Sequence, residues 1–211
     1  MKKYIVLAVL TFSIFFSYKY WKTTPQYSVQ QVVESIESND TYLFEKHFDI
    51  KKVSDKMSDE FVAYMTKENI DSSGDDEWGL IGKKFATGLF ELMKPVLSNQ
   101  ISKEIIALVD NKENNNSLIS DSLSFGLFDN SDLNLINQDK ISISLALLFE
   151  AENINFQREG STTTLKILLN QSNENEVIEV ILKKYEDFWK ITEIKNLITF
   201  ILENQESVIK Q

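Results

Sequence analysis

The chain begins with an apolar segment that is too uniform to be one face of an amphipathic helix. The run from Tyr4 to Tyr18, which follows two lysines, contains no charged side chain. A helix that is apolar on every side must be surrounded by protein core or by lipid. Because the run lies at the N-terminus and precedes a Thr-Thr-Pro break at 23–25, it predicts a signal-anchor or transmembrane helix over residues 1–24, in preference to a buried helix of the folded domain.

The predicted anchor ends in aromatic residues, which suit the headgroup region of a bilayer. Tyr18, Tyr20 and Trp21 match that interface, and Lys19 and Lys22 can extend beyond it. The large membrane-anchor residues are Tyr4, Ile5, Val6, Leu7, Val9, Leu10, Phe12, Ile14, Phe15, Phe16, Tyr18, Tyr20 and Trp21. The short N-terminal tail favours a cytoplasmic N-terminus. We therefore expect a single span of a bacterial inner (cytoplasmic) membrane, with an exported C-terminal domain that is periplasmic or extracytoplasmic.

Removal of the signal would require small side chains at the end of the apolar run. The exit from Phe15 to Trp21 is bulky and aromatic instead, without an A-x-A-like site. We therefore expect an uncleaved anchor. The alternative is a secreted factor that is released after signal cleavage.

Residues 25–211 form a single acidic domain in this interpretation. They carry 18 basic and 32 acidic side chains, a net charge of −14. Such a domain repels phosphate backbones, so no nucleic acid is expected as a partner. Hydrophobic residues make up 43% of the chain, which is enough for a folded core. The absence of cysteine excludes disulfides, thiolate sites and lipidation as a lipoprotein.

The first part of this domain, about 26–110, has the periodicity of amphipathic helices. Ser28 and Gln31 have the spacing of a capping box at the start of the first helix. Asp40 and Asp49 are placed to cap the second and third helices. The first helix has the apolar face Val29, Val32, Val33 and Ile36, and the third has the apolar face Ile50, Val53, Met57, Phe61 and Met65. The domain therefore opens with a layer of short helices.

A longer helical pattern follows the acidic loop at 71–77. Its apolar residues are Leu80, Ile81, Phe85, Leu89, Leu92, Met93 and Val96. Pro95 is expected to kink or end this helix, because proline removes a backbone donor and clashes with the preceding turn. A separate helix is predicted from Ile101 to Val109, and residues 111–139 are expected to be irregular.

The segment after the anchor resembles the start of a known bacterial family. The residues that carry the resemblance are Thr24-Pro25-Gln26-Tyr27-Ser28-Val29-Gln30-Gln31, then Glu34-Ser35-Ile36-Glu37-Ser38-Asn39-Asp40, Phe44, Phe48-Asp49 and Val53. An N-terminal anchor followed by such a TPxYS-type amphipathic helix is similar to the bacterial domain of unknown function 2939 family. The resemblance implies a location in the bacterial envelope. It carries over no catalytic residue.

The periodicity changes to the two-residue alternation of strands over about 140–197. The predicted strands are 141–147, 163–169, 177–182 and 189–194, with turns at Gly160, at 173–175 and near Glu186. A terminal helix is expected over about 198–208. This order predicts an α+β fold in which a helical layer packs on an antiparallel meander. The late Trp-Lys-Ile-Thr strand is similar to those of cone-like, nuclear transport factor 2-like folds, by analogy only.

Residues that could carry chemistry are few. His47 is the only histidine, and we interpret it as a surface or hydrogen-bonded structural residue. The loop at 71–77 has the calcium-binding EF-hand ligand spacing, with Asn69, Asp71, Ser73, Asp75 and Glu77, but Leu80 stands where the bidentate glutamate is needed. In the segment 129–132, Leu133 likewise replaces an oxygen ligand. We therefore expect no metal, no cofactor and no catalytic residue.

Two functional classes remain open. Aromatic residues could line an apolar pocket: Phe85, Phe90, Phe125, Phe128, Phe149, Phe156, Phe188 and Trp189. The preferred hypothesis is a membrane-tethered, exported, non-catalytic module that binds a protein, a peptide or a lipid. The alternative is a small enzyme with a carboxylate base in a cone-like apolar pocket, which predicts a buried carboxylate with a raised pKa.

Overall fold

The computed structural model describes residues 2–72, 77–110, 154–169 and 176–203. Within these ranges the fold is α+β, and a four-stranded antiparallel sheet follows the helical region, as predicted. The helices before the sheet are α1 (Lys2–Trp21), α2 (Pro25–Glu37), α3 (Thr41–His47), α4 (Ile50–Ser72) and α5 (Glu77–Asp110). The strands are β1 (Ile154–Glu159), β2 (Thr162–Leu169), β3 (Glu176–Tyr185) and β4 (Phe188–Lys195), and α6 (Leu197–Glu203) follows them.

Helix α1 is the apolar N-terminal segment. Its 20 residues extend about 30 Å at 1.5 Å per residue, which matches the thickness of a bilayer core. Two of its hydroxyl side chains, those of Thr11 and Ser13, each donate a 2.9 Å hydrogen bond to the carbonyl four residues earlier. These polar groups are therefore satisfied within the helix.

Helix α2 begins one turn earlier than the capping-box prediction placed it. Thr24 is the N-cap, its hydroxyl accepts a 3.3 Å hydrogen bond from the Tyr27 N–H, and Pro25 occupies the first turn. Proline suits that position because its fixed φ is helical and its missing N–H has no partner there. The prediction that Ser28 caps this helix is wrong, and its side chain is buried inside the domain.

The caps of the next two helices confirm the prediction. Asp40 accepts a 2.9 Å hydrogen bond from the Leu43 N–H at the start of α3, and Asp49 accepts one of 3.3 Å from the Lys52 N–H at the start of α4. Asn39 ends α2 with a φ of 55°. Asparagine tolerates this left-handed conformation better than most residues, which explains the sharp turn into α3.

Helix α5 continues through its proline. It forms a single helix of 34 residues, with Pro95 inside it. Of the two expected effects of Pro95, a kink or an end, the helix does not end there, and the prediction of a separate helix from Ile101 to Val109 is wrong. The apolar residues on its second half explain the continuity, because Leu97, Ile101, Ile105 and Val109 are buried in the core and offset the lost backbone hydrogen bond.

The sheet is a meander with the order β1-β2-β3-β4. The predicted turns at Gly160 and Glu186 are confirmed, and both residues have a positive φ. Strand β1 was not among the predicted strands. The predicted strand 141–147, the irregular region 111–139, the turn at 173–175 and the end of the terminal helix lie outside the described residues.

A bulge in β4 keeps the core side chains of that strand on one face. Leu182 pairs with Ile191 and Ile181 pairs with Glu193, so Thr192 is an extra residue in β4. Its hydroxyl donates a 3.3 Å hydrogen bond to the Ile181 carbonyl. Helices α2, α3 and α4 pack against β4, whereas α5 packs mainly on α4. The end of β4 that begins with Phe188 and Trp189 therefore lies under the start of the helical layer.

Candidate functional site

The short linker between α1 and α2 is attached to the last strand of the sheet. The indole N–H of Trp189 donates a 2.8 Å hydrogen bond to the carbonyl oxygen of Thr23. On the other side of the linker, the Trp21 ring packs edge-to-face on Tyr27, with 4.9 Å between the ring centroids. Pro25 is buried where α2 begins. Only three residues separate α1 from α2, so the apolar helix leaves the domain at this point.

A buried hydrogen-bond network lies directly below the linker. Ser28, His47 and Trp189 are each no more than 1% exposed. The Ser28 hydroxyl oxygen accepts a 3.2 Å hydrogen bond from the Trp189 backbone N–H. The His47 Nδ1 lies 3.0 Å from that oxygen and 3.2 Å from the Trp189 carbonyl oxygen. A carbonyl oxygen can only accept, so we assign the proton to Nδ1.

This network makes His47 a structural residue, in agreement with the sequence-based interpretation. Burial lowers the pKa of His47, which is partly opposed by the hydrogen bond to the Trp189 carbonyl. The ring is therefore neutral at pH 7. The Ser28–His47 pair resembles a nucleophile and its base in distance alone. Nδ1 already carries a proton and Ser28 is fully buried, so this geometry does not activate the serine hydroxyl.

A cavity of about 610 Å³ opens between the end of α1, the start of α2, α3 and the β3–β4 turn. Its aromatic wall consists of Phe16, Tyr20, Tyr27 and Phe188, with His47 between the last two. The ring centroid of His47 is 6.1 Å from that of Tyr27 and 5.8 Å from that of Phe188, both edge-to-face. The rigid hydrogen-bonded imidazole therefore fixes two of the aromatic walls.

The same cavity is lined by positive charge, although the domain is strongly acidic. Lys19, Lys22 and Lys46 contribute ammonium groups, and Asp187 is the acidic residue at its edge. Lys46 Nζ lies 5.9 Å from the centroid of the Phe188 ring. In the described part of the chain, none of these four residues takes part in a salt bridge. Three lysines and one aspartate give the lining of the cavity a formal charge of +2, opposite in sign to that of the domain.

Glu60 is a partly buried carboxylate with a raised pKa, which is close to the feature that the enzyme alternative predicted. Its Oε1 accepts a 3.0 Å hydrogen bond from the Thr199 N–H and one of 2.9 Å from the Thr199 hydroxyl. Burial raises the pKa of Glu60, and the hydrogen bonds from Thr199 oppose the rise. Because this carboxylate caps the first turn of α6 from the neighbouring helix α4, its environment is accounted for by a structural role.

The structure separates the aromatic residues that the sequence suggested as one pocket. Phe188 lines the cavity, Phe90 and Trp189 are in the core, Phe156 is partly buried against it, and Phe85 is 66% exposed. Phe125, Phe128 and Phe149 lie outside the described residues, as do most of the acidic loop and the segment 129–133. Within the described ranges, no group of three or more histidine, aspartate or glutamate residues is placed to hold a metal.

The anchor residues retain the exposure that the sequence suggested. Every described large apolar side chain of α1 is exposed, from 40% at Trp21 to 78% at Tyr4. Residues 3–21 form a helix long and apolar enough to cross a membrane, and a signal sequence has the same properties.

No family model matches the chain, and neither a curated protein nor a solved structure matches it.

Proposed function

We propose that this chain is a membrane-tethered, exported and non-catalytic binding module of the bacterial envelope. In this proposal α1 spans the inner membrane once, with its N-terminus in the cytoplasm, and the acidic domain binds a protein, a peptide or a lipid close to the membrane surface. A relationship to the bacterial domain of unknown function 2939 family is part of the proposal.

The attachment of the exposed apolar helix to the folded domain is the observation that supports this function most directly. A helix that is apolar on all sides and uncovered by protein is stable in lipid but costly to expose to water. The linker is held by the Trp189–Thr23 hydrogen bond, 166 positions apart in the sequence. Removal of α1 through Trp21 would also remove the edge-to-face packing of the Trp21 ring on Tyr27.

Fractionation of the native, untagged protein tests the proposal. We expect full-length chain, by intact mass, in the membrane fraction, and degradation of the domain by protease added to spheroplasts. Protection from the protease would refute the exported orientation. A shortened chain found in solution would refute the anchor and support the secreted factor.

A cleavable variant provides the matched control. Phe16→Ala combined with Tyr18→Ala places alanines on both sides of Ser17, which is the small-residue pattern that signal peptidase requires. We expect this variant to be shortened and released while the wild-type chain stays in the membrane. Equal processing of both chains would show that the aromatic exit does not protect the anchor.

A further inference from the structure

The charge at the cavity between α1 and the domain contrasts with the charge of the domain. The domain carries a net −14, yet Lys19, Lys22 and Lys46 converge on this one cavity with a single facing carboxylate, Asp187. Within the described residues the three ammonium groups have no acidic side chain in salt-bridge range; Lys19 Nζ lies 5.9 Å from the centroid of the Phe15 ring and Lys22 Nζ lies 4.5 Å from that of Tyr18. A cavity lined by three lysines that lack an acidic partner among these residues is complementary to an anion.

The side chains of α1 add an apolar side to this cation site. Phe16, Lys19 and Tyr20 are spaced three and four residues apart, so they lie on one face of the helix, and all three line the cavity. Phe16 is nearer the middle of α1, and Lys19 and Tyr20 are nearer its end. The cavity is therefore apolar toward the centre of the helix and cationic toward the domain.

We propose that this cavity binds one anionic phospholipid of the surrounding membrane, with its phosphate between Lys19, Lys22 and Lys46 and its acyl chain beside Phe16. The inference rests on the proposed function, because it requires that α1 is retained in a bilayer. Tyr20 and Tyr27 supply amphipathic walls of the kind that lie at headgroup depth, and Phe188 supplies an apolar one. The volume of about 610 Å³ accommodates a headgroup.

A bound lipid would also resolve an electrostatic conflict in the proposed function. An acidic domain that is only three residues from its anchor is repelled by the anionic phospholipids of the leaflet beside it. Three lysines at the junction give the headgroups a favourable contact where the domain and the membrane are closest. The lipid therefore orients the domain on the membrane, in addition to the anchoring by α1.

Native mass spectrometry of the full-length chain in neutral detergent tests the proposal with phosphatidylglycerol and phosphatidylcholine as probes. We expect one phosphatidylglycerol to be retained in preference to phosphatidylcholine. Lys46→Ala should weaken its binding about fivefold, since one lysine near an anionic surface contributes on the order of 1 kcal/mol. Lys56→Ala is the matched control, because Lys56 is also an exposed helical lysine but does not line the cavity. It should leave binding unchanged.

Three results would overturn the inference. The first is equal retention of phosphatidylglycerol and phosphatidylcholine. The second is an equal loss of phosphatidylglycerol binding in Lys46→Ala and Lys56→Ala. The third is binding of inorganic phosphate as tight as that of phosphatidylglycerol, which would mean that the site takes a free anion. Lys22→Ala gives a second variant should Lys46→Ala fail to fold, and circular dichroism checks both. Lys46→Ala is expected to stay in the membrane fraction. A full-length wild-type chain that stays in the membrane fraction but shows no preference for phosphatidylglycerol would refute this site alone, whereas a wild-type chain recovered without α1 would refute the anchor as well.

Discussion

The indole nitrogen of Trp189 lies 2.8 Å from the carbonyl oxygen of Thr23, so the last strand of the sheet holds the linker that follows the N-terminal helix. The same tryptophan is fully buried, and its backbone N–H and carbonyl take part in the network with Ser28 and His47. One residue thus connects the apolar helix, the first helix of the domain and the sheet. The predictions below test this connection and other buried polar contacts of the fold.

Trp189→Phe should lower the free energy of unfolding by about 2 to 3 kcal/mol. The variant loses part of a fully buried ring and leaves the Thr23 carbonyl without its indole donor. Trp21→Phe is the control, because Trp21 is 40% exposed and phenylalanine can keep the ring contact with Tyr27. Urea unfolding in mild detergent, followed by circular dichroism, measures both. Equal destabilisation by the two substitutions would contradict the role assigned to Trp189.

His47 should make the stability of the protein fall in mild acid. Burial lowers the folded-state pKa of His47 below its ordinary value of 6.5, so the unfolded chain binds the proton more tightly. The contribution to stability is present above about pH 6.5 and is lost as the pH falls through the lowered folded-state pKa. In His47→Asn the amide can still donate to the Trp189 carbonyl, but no group titrates.

Unfolding measured between pH 7.5 and 5 compares the two chains. The difference in stability between wild type and His47→Asn should be largest at pH 7.5 and should shrink toward pH 5. His47 is the only histidine, so no other imidazole contributes to this window. A difference that is constant with pH would show that His47 is not buried in the neutral form.

The free energy of unfolding of the Glu60→Gln variant should increase relative to that of the wild-type protein as the pH rises. Burial raises the folded-state pKa of Glu60 above its ordinary value of 4.5, so the folded protein binds that proton more tightly. The wild-type protein is therefore stabilised below about pH 4.5 and loses this contribution as the pH rises through the raised pKa. The neutral amide oxygen of glutamine can still accept from Thr199. Thermal unfolding of the two chains from pH 4 to pH 8 measures the trend, and a difference in stability that is constant over this range would contradict it.

Thr163→Val should stabilise the protein by about 1 kcal/mol. Thr163 is 1% exposed on the core face of β2, and its hydroxyl has no hydrogen-bond partner among the described residues. Valine has the same shape and removes the cost of the unpaired hydroxyl. Thr164→Val, on the opposite and partly exposed face of the same strand, should change the free energy of unfolding by less than about 0.5 kcal/mol. Destabilisation by Thr163→Val would mean that its hydroxyl is paired.

Features that depend on neighbouring residues could be predicted from the sequence. Asp40 and Asp49 cap helices through N–H groups three residues away, and the turn at Gly160 needs a positive φ at one position. The alternation in 163–169 places Thr163, Leu165 and Ile167 on one buried face. The differences also have local causes: Thr24-Pro25 is itself a helix start, and the buried apolar face of α5 outweighs the effect of Pro95 on the backbone.

The sequence by itself determined the apolar N-terminal helix, the order of helices and strands, and the acidic character of the domain, because periodicity and charge are properties of short segments. Only the tertiary structure decided that Trp189 holds Thr23, that Ser28 and His47 share a network, and that Glu60 caps α6. These contacts join residues 19 to 166 positions apart. Whether such groups meet depends on how the helical layer packs on the sheet, and local sequence propensities cannot predict contacts between residues so far apart in the chain. For the same reason, three lysines that are unremarkable in the sequence converge on one cavity in the folded chain.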